Sequence, residues 1–324
     1  MMIKWVKRSL ILAACGIAAG IVAAAPAGAA ETVRVGTPEG SAFMFAAIDV
    51  GIDTGIFKKN GLEVEKLNFA GGGKLGEAVA AGAVDFTVSG NTDVAFVVKG
   101  SPEKAVAVTA GAPVEMSIIV RSDGSVKSPA DLRGKTIGVT SPTSLTSWLA
   151  LEFSRAQGWG PEGVTRAYVG GMTSEVAGLV AKHLDAIVGP VEGGYLLEAK
   201  GQAHVLMTFG NLNSFITHLI YASNAMMKDH PQSVRGFIAA WFDTVKYMRA
   251  HKAETIKLTE PVTKLPPDIA SRVYDLEMPA MSDDGHFDPK AVEAIVQSFL
   301  DLGVLKERPA DVKALYTEAF LPGS

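Results

Sequence analysis

The chain has 324 residues, of which 48% are hydrophobic, and a formal net charge of −4 at pH 7 from 30 basic and 34 acidic residues. Its length allows one large domain or two of ordinary size. A small acidic excess without basic runs is not typical of proteins that bind nucleic acid or an anionic membrane surface, so we expect neither partner.

The first thirty residues have the three-part pattern of a secretory signal. Three basic residues within the first eight precede an uncharged run that reaches Ala30 and ends in small residues. This order matches a basic segment, an apolar segment and a cleavage site. We expect residues 1–30 to be removed on export to the periplasm, with a retained membrane anchor as the alternative. The remaining chain would carry a net charge of −7, because the first thirty residues hold three basic and no acidic residues.

Cys15 is the only cysteine of the chain. Its surroundings, LAACG at residues 12–16, resemble the lipidation site of bacterial lipoproteins, so anchoring through Cys15 is an alternative to simple cleavage. Only six residues separate Arg8 from Cys15, which leaves a short apolar segment and favours simple cleavage. The mature chain would then have no disulfide and no thiol chemistry.

Strand and helix patterns alternate along most of the remaining chain. In its first third the predicted strands are 32–36, 62–69 and 84–88, and the predicted helices are 42–57, 74–81 and 92–99. In its second third the predicted strands are 136–139, 167–169 and 186–188, and the predicted helices are 145–157 and 174–182. From Asn224 onward the pattern is mostly helical. Alternation at this spacing predicts parallel sheets covered by helices.

Two segments of the chain align with each other without a gap. Residues 77–90 and residues 177–190 both read as a helix, a turn, an aspartate and an apolar strand that ends in a small residue. Asp85 corresponds to Asp185 in this alignment. Together with the repeated alternation, the match predicts two similar α/β lobes.

Four phrases carry a resemblance to a known family. They are GIFKKNGLEV, AGAVDF, SPADLRGKTIGV and LDAIV, at residues 55–64, 81–86, 128–139 and 184–188. In their order and spacing the chain resembles periplasmic substrate-binding proteins of ABC importers, in the nitrate/sulfonate/taurine-type (NMT1/THI5-like) branch. The resemblance extends over nearly the whole mature chain.

The resemblance implies a periplasmic-binding-protein-like fold of type II with two α/β lobes. Each lobe would be a mostly parallel sheet flanked by helices, and the lobes would close by a hinge on a ligand held in the cleft between them. Lobe I would begin with residues 31–121, lobe II would span 122–216, and residues 217–324 would complete lobe I and add the C-terminal helices.

A hydroxyl-rich loop is the first candidate for the ligand site. Ligands of open α/β sheets bind beyond the C-terminal ends of strands, where helix N-termini present free N–H groups. Between Thr140 and Ser147, six of eight residues carry a hydroxyl. One hydroxyl is enough to cap a helix, so the excess favours ligand binding, a role that the resemblance implies for Ser141, Thr143 and Ser144. Capping followed by a plain turn is the alternative.

Two junctions of lobe I are expected to face the same cleft. Ser89, Asn91 and Thr92 follow a predicted strand, although Asn91 as a plain N-cap also fits the pattern. Ser41 and Phe43 follow the first strand and are expected to form part of the wall, with Phe43 in the core as the alternative.

The glycine-rich segment at residues 71–76 formally matches the G-x-G-x-x-G pattern of dinucleotide-binding proteins. It follows the second strand rather than the first, and the protein is expected to be exported, so we do not favour a nucleotide site. The resemblance instead implies a turn whose backbone approaches the ligand, with Gly72 and Gly73 as candidates.

Glu192 marks a departure from the family pattern. Many relatives carry an aromatic residue followed by proline near this point, whereas here Pro190 and Glu192 precede the first aromatic residue, Tyr195. A carboxylate in the cleft would disfavour a purely anionic ligand by charge repulsion and would suit an amine or a donor of hydroxyl or N–H groups. Alternatively, Glu192 stabilises the dipole of a helix in its first turn.

Asn213 and His218 lie near the expected second crossover between the lobes. Both are candidates for ligand contacts, and a polar hinge loop is the alternative.

Motifs for catalysis and for cofactors are absent from the sequence. There is no histidine pair with metal-ligand spacing, no G-x-S-x-G and no Walker A motif. We therefore expect no metal, no cofactor and no enzymatic activity.

The expected function is capture of a small polar organic anion or zwitterion, related to sulfonates, taurine or nitrate. A monomer would deliver it to the permease and ATPase subunits of an ABC importer. Two alternatives remain: a pyrimidine-precursor synthase or related small-molecule enzyme of the same fold, and a periplasmic ligand-sensing module.

Overall fold

Two five-stranded sheets organise the residues that the computed structural model describes, which are 30–38, 40–69, 71–212 and 214–323. The expectations for the signal sequence, for Cys15 and for Asn213 fall on residues outside these ranges. The strands are β1 Glu31–Thr37, β2 Leu62–Asn68, β3 Phe86–Gly90, β4 Glu103–Ala110, β5 Met116–Arg121, β6 Thr136–Val139, β7 Thr165–Tyr168, β8 Ala186–Pro190, β9 Ala203–Thr208 and β10 His218–Ser223.

Helices cover these sheets and fill the C-terminal third. They are α1 Ala47–Asp53, α2 Ile56–Lys59, α3 Gly72–Ala80, α4 Val94–Val98, α5 Leu145–Ala156, α6 Met172–Val180, α7 Val191–Ala199, α8 Asn224–Asp229, α9 Pro231–Ala250, α10 Lys252–Thr263, α11 Pro267–Glu277 and α12 Pro289–Asp301. None of the helices within the described ranges has both the length and the apolar character needed to cross a bilayer.

The two sheets have the same layout. Their strand orders are β2-β1-β3-β10-β4 and β7-β6-β8-β5-β9. In the first, β1 runs parallel to β2 and β3, whereas β10 is antiparallel to both of its neighbours. In the second, β6 runs parallel to β7 and β8, whereas β5 is antiparallel to both of its neighbours. Both sheets are therefore mixed, with two parallel and two antiparallel pairings each, and the predicted α/β fold with sheets flanked by helices is confirmed.

The aligned aspartates occupy equivalent places in the two lobes. The Asp85 carboxylate accepts the Arg34 N–H of β1 at 2.8 Å, and the Asp185 carboxylate accepts the Thr136 N–H of β6 at 3.0 Å. Each aspartate also donates its own N–H to the carbonyl of the same strand residue, at 2.9 Å in both lobes. The internal match therefore reflects one structural element used twice.

The chain passes between the sheets twice. Residues 111–115 connect β4 to β5, and residues 209–217 connect β9 to β10. Because β5 pairs with β8 and β9, the chain leaves the first sheet earlier than the expected lobe boundary after residue 121. β10 returns to the first sheet and completes it with a strand from the C-terminal third.

The predicted helix 42–57 is broken in the structure. Its residues form a short 3-10 turn, Phe43–Phe45, followed by the separate helices α1 and α2. Gly55 lies between these helices with a φ of +69°, a left-handed conformation that interrupts an α-helix. The apolar periodicity is continuous across the break, which is why the sequence pattern predicts one helix.

The apolar core continues from one lobe into the other around the crossovers. One cluster joins Val108 and Leu219 of the first sheet to Ile118 and Val139 of the second. A separate cluster fills lobe I, where the Phe86 and Phe237 rings stack with centroids 4.4 Å apart. Lobe II has a smaller cluster of its own on the other face of its sheet.

Candidate functional site

Hydrogen bonds join the two crossovers to each other and to lobe I. The Thr217 N–H donates to the Ala110 carbonyl at 3.1 Å, and the Thr217 hydroxyl donates to the Gly111 carbonyl at 2.6 Å. The Asn91 N–H donates to the Thr217 carbonyl at 2.9 Å, and the Asn91 side-chain amide donates to the Ile216 carbonyl at 2.7 Å. Asn91 therefore anchors the second crossover from lobe I.

Loss of the Asn91 amide is expected to weaken this anchor. Asn91→Ala should lower the free energy of unfolding by about 1–3 kcal/mol, because it leaves the buried Ile216 carbonyl without a donor. Urea unfolding followed by circular dichroism measures this change. Thr92→Ala, at the next and partly exposed position, is the control and should change stability by less than about 0.5 kcal/mol. Equal effects of the two substitutions would contradict the anchoring role.

Beside the crossovers, four titratable residues form what we call the hinge cluster. They are Glu115 just before β5, Glu192 in the first turn of α7, His218 at the start of β10 and Glu277 at the end of α11. Glu115 Oε1 and His218 Nε2 are 3.0 Å apart, so this pair joins the end of one crossover to the end of the other. The His218 ring also meets the Phe45 ring edge to face, with centroids 5.0 Å apart.

The carboxyl groups of the hinge cluster share one buried environment. Burial raises the pKa of Glu192 to about 7, and the charge of Glu115 adds to this, whereas the Phe43 N–H and His218 favour the ionised form. Burial, with the charges of Glu192 and Glu115, raises the pKa of Glu277 well above its ordinary value. Several carboxyl groups in one low-dielectric environment cannot all ionise without a compensating cation.

Several polar atoms of the hinge cluster have no hydrogen-bond partner among the described residues. They are Glu115 Oε2, Glu192 Oε2, His218 Nδ1 and both carboxyl oxygens of Glu277. Glu277 is fully buried and Glu115 is 6% exposed. Buried polar groups in native folds normally have partners, so these unpartnered atoms make the hinge cluster a candidate site.

A cavity of about 230 Å³ lies between the lobes and includes Glu192 in its lining; we call it the Glu192 cavity. Lobe I contributes Ser41, Ala42 and Leu265, and lobe II contributes Met172 and Leu196. The described lining is therefore mostly apolar, with Glu192 and the hydroxyl residues Ser41 and Thr263 as its polar members, which is the usual composition of a small-molecule site.

A second cavity, of about 260 Å³, includes Thr92 and Thr143 in its lining; we call it the Thr143 cavity. Its other lining residues include Phe96 and Phe299, so it lies against α12. The structure thus places predicted site residues in two cavities: Ser41 and Glu192 in one, and Thr92 and Thr143 in the other.

Three predicted wall residues of lobe I are buried instead of facing a cavity. Ser89 is fully buried and donates to the Asp93 carboxylate at 2.6 Å. Asn91 is 2% exposed and anchors the crossover, so it acts neither as a wall residue nor as a side-chain N-cap. Phe43 is 2% exposed, and its ring packs edge to face on Tyr274. The core takes the Phe43 ring because apolar burial outweighs exposure at a cleft.

Four hydroxyls of the 140–147 loop bond to neighbouring groups. Ser144 caps α5 by accepting the Ser147 N–H at 3.2 Å and donates to the Ser141 carbonyl at 2.8 Å. The Thr146 hydroxyl accepts the Thr140 N–H at 3.0 Å and lies 3.0 Å from the Thr140 hydroxyl. The Ser147 hydroxyl accepts a hydrogen bond from Arg166 at 3.0 Å. One capping bond and contacts within the protein thus account for four of the six hydroxyls, and ligand contacts of Ser141, Thr143 and Ser144 stay predictions.

The remaining candidates are a glycine turn and His218. Gly71 has a φ of +90°, and Gly72 is the first residue of α3. A side chain at Gly72 would come within 3.6 Å of Asp93 Oδ1, so its closest neighbour is this buried carboxyl. His218 is only 13% exposed and lies in the hinge cluster.

Sequence reasoning missed Glu115 and Glu277. Glu277 had a usable signal, because it follows Val273 by one helical turn and therefore lies on the buried face of α11. Glu115 had none, since its partner His218 is 103 residues away along the chain. Among the described residues, no group of three or more potential ligands is arranged to hold a metal ion.

Solved structures with this fold include two sulfonate-binding proteins. The alkanesulfonate-binding protein SsuA from Xanthomonas axonopodis pv. citri, bound to MOPS, is 18% identical with a TM-score of 0.72 over 87% of this chain and 97% of that chain. The periplasmic aliphatic sulphonate binding protein SsuA from Escherichia coli is 17% identical with a TM-score of 0.75 over 88% of this chain and 91% of that chain. At such identities the likeness establishes the fold.

The same fold is also found in an enzyme. The desulfurization enzyme DszB is 15% identical with a TM-score of 0.65 over 90% of this chain and 97% of that chain. The fold alone therefore does not separate binding from catalysis.

A search of curated proteins finds no match to the sequence. The family model described as NMT1/THI5 like matches residues 42–255, which include the hydroxyl loop, both crossovers and three members of the hinge cluster. The matched segment is more than half of the chain. The chain belongs to the NMT1/THI5-like family.

Proposed function

We propose that this chain is the solute-binding component of an ABC importer and acts in the periplasm as a monomer. It would capture a small polar organic solute between its lobes and present it to the permease. The observation that carries this proposal is a cavity lined by both lobes, next to two hydrogen-bonded crossovers that can serve as a hinge. The likeness to sulfonate-binding proteins supports it.

The Glu192 cavity is the better supported ligand position. It receives residues from three strand-to-helix junctions, those before the Phe43–Phe45 turn, before α6 and before α7. The Thr143 cavity receives residues from only two such junctions and otherwise borders α4, α12 and the turn after α12. Convergence of junctions from both sheets is typical of ligand sites in α/β proteins.

Ligand binding should raise the thermal stability of the purified protein. We would measure the unfolding temperature against alkanesulfonates, nitrate, amino acids, carboxylates, amines and pyrimidines. A ligand at a hundred times its dissociation constant stabilises the folded state by about 2.7 kcal/mol, which gives a clear upward shift. No shift with any solute would contradict the proposal.

Two matched hydroxyl variants locate the ligand. Ser41→Ala changes the Glu192 cavity and Thr143→Ala changes the Thr143 cavity. Ser41→Ala should weaken binding of the solute that the panel identifies, because the Ser41 hydroxyl would touch the ligand. Thr143→Ala should bind the same solute within about twofold of the unmodified protein. The reverse pattern would place the ligand at the hydroxyl loop.

Catalysis is the second candidate function, because an enzyme shares the fold. It predicts that a solute found in the panel is consumed on incubation with the protein. Recovery of the unchanged solute after prolonged incubation, measured by mass spectrometry, supports binding without turnover.

A further inference from the structure

We infer that the Glu192 cavity receives the protonated amine of a small organic solute, with the Glu192 carboxylate as its counter-ion. The inference rests on the proposed function and narrows it, because it excludes solutes whose only charged group is anionic. It is carried by the unpartnered carboxyl oxygens, by the lack of a basic side chain among the described lining residues and by the apolar walls.

One oxygen of the Glu192 carboxyl group, Oε2, is buried beside the cavity without a hydrogen-bond partner among the described residues. Behind it, Glu277 is fully buried with both oxygens unpartnered, and Glu115 has one unpartnered oxygen. Burial disfavours the ionised forms of Glu192 and Glu277, and a cation bound beside them would favour these forms.

Among the described residues that line the Glu192 cavity, none is basic. Arg272 is nearby on α11, but its guanidinium lies over the Tyr195 ring at 3.8 Å and pairs with Glu198 at 3.0 Å. Lys66 pairs with Asp49 at 2.5 Å. Both charges are already balanced by side chains outside the cavity lining. A sulfonate or carboxylate bound alone would therefore lie beside Glu192 without a basic side chain from the described lining residues.

The walls fit an organic ammonium better than a metal ion. The described residues contain no arrangement of three metal ligands, so the hinge cluster does not converge on one point. Met172, Leu196 and Leu265 offer apolar surface next to the carboxyl group. This suits a short carbon chain beside a charged nitrogen, and about 230 Å³ is enough for a solute of a few carbon atoms.

Protonation gives this site a signature that can be measured. Burial raises the pKa of Glu192 to about 7, so near neutral pH part of the protein carries the neutral acid. A bound ammonium group favours the carboxylate, so binding should release protons and weaken as the pH falls. The titratable groups that face Glu192 are Glu115 on the first crossover, His218 on β10, Glu277 on α11 and Tyr195 on α7 itself.

Three probes that differ only in their charged groups test the inference. They are propylamine, 3-aminopropanesulfonate and propanesulfonate, titrated by calorimetry near pH 8, 7 and 5.5 in buffers of different ionisation enthalpy. We expect at least one amine to bind about tenfold or more tightly than propanesulfonate, since a charged pair in a dry site is a strong contact. We also expect proton release and weaker amine binding near pH 5.5.

Glu192→Gln removes the charge and keeps the shape. It should weaken amine binding about tenfold or more and abolish the linked proton release. Glu198→Gln is the matched control, because Glu198 lies on the same helix but pairs with Arg272 outside the cavity. The affinity of Glu198→Gln for the amine should stay within about twofold of that of the unmodified protein. If Glu192→Gln does not fold, the number of protons that the unmodified protein releases on binding the amine still tests the inference.

The outcomes separate the inference from the proposed function. Propanesulfonate binding as tightly as the amines, with proton uptake, would overturn the inference and leave the solute-binding function intact. If none of the three probes binds, the inference is tested on the solute that the wider panel identifies. A solute with an amine supports the inference, and a solute without one overturns it. Absence of binding by every solute would overturn the proposed function as well.

Discussion

The protein is expected to be more stable near pH 5 than near pH 8, by about 3 kcal/mol or more in the free energy of unfolding. The cause is a set of buried carboxyl groups that favour the neutral acid. Burial raises the pKa values of Asp93 and Glu103 to about 7 and that of Glu175 to about 8. Glu192 and Glu277 shift in the same direction.

The sign follows from the two states of the chain. In the unfolded chain these groups titrate near their ordinary values of about 4, so above that pH the unfolded state has lost protons that the folded state keeps. Each group then removes about 1.4 kcal/mol of stability per pH unit until its folded pKa is passed. The stabilisation is complete below about pH 4 and is lost as the pH rises towards 7 or 8.

Urea unfolding at several pH values between 5 and 8 measures this slope. The Asp93→Asn and Glu103→Gln double variant should be more stable than the unmodified protein at pH 8 and should have a flatter profile. Asp93 and Glu103 suit this test because they are 2% and 3% exposed and interact with each other. A profile that is flat, or that rises with pH, would show that these carboxyl groups are ionised in the folded state.

Local pattern predicted the framework of this fold well. The strand expected at residues 136–139 is β6 with the same bounds, and the expected helix 145–157 differs from α5 by one residue. The Asp85 and Asp185 match also corresponds to one shared hydrogen-bonding element. Such features depend on neighbouring residues and on periodicity, which the sequence shows directly.

The site was harder to predict because its contacts are distant along the chain. Asn91 binds a carbonyl 125 residues away, and Glu115 pairs with a histidine 103 residues away. Side-chain chemistry alone suggested that both asparagine and serine at the β3 junction would face a ligand. Instead, tertiary packing gave Asn91 a distant partner that no local pattern encodes, and Ser89 bonds to Asp93, four residues further along the chain.

The lobes also share more core than the two-lobe pattern suggests. Trp148 of α5 stacks on Phe215 of the second crossover with ring centroids 4.6 Å apart and an angle of 9° between the rings. These residues are 6% and 2% exposed. On the same side, Arg155 of α5 pairs with Asp301 of α12 at 2.6 Å. The crossover is therefore held by a packed aromatic pair as well as by the Asn91 amide.

Trp148→Ala is accordingly expected to lower the free energy of unfolding by about 3–5 kcal/mol, the usual loss when a large buried aromatic side chain is removed. It should also loosen the second crossover, because Phe215 loses its stacking partner. Trp241→Ala is the matched control: Trp241 is fully buried in the core of lobe I, so its loss should cost a similar amount without a local effect at the crossover.

Urea unfolding and native-state hydrogen exchange together distinguish the two tryptophan variants. The Thr217 amide, which donates to the Ala110 carbonyl, should exchange faster in Trp148→Ala than in Trp241→Ala when the two are compared at equal global stability. If the Thr217 amide exchanges at the same rate in both variants, Trp148 contributes to global stability and has no separate effect on the crossover. Faster exchange confined to Trp148→Ala would mean that aromatic packing on the crossover sets how easily the lobes move, and ligand affinity should then fall in that variant alone.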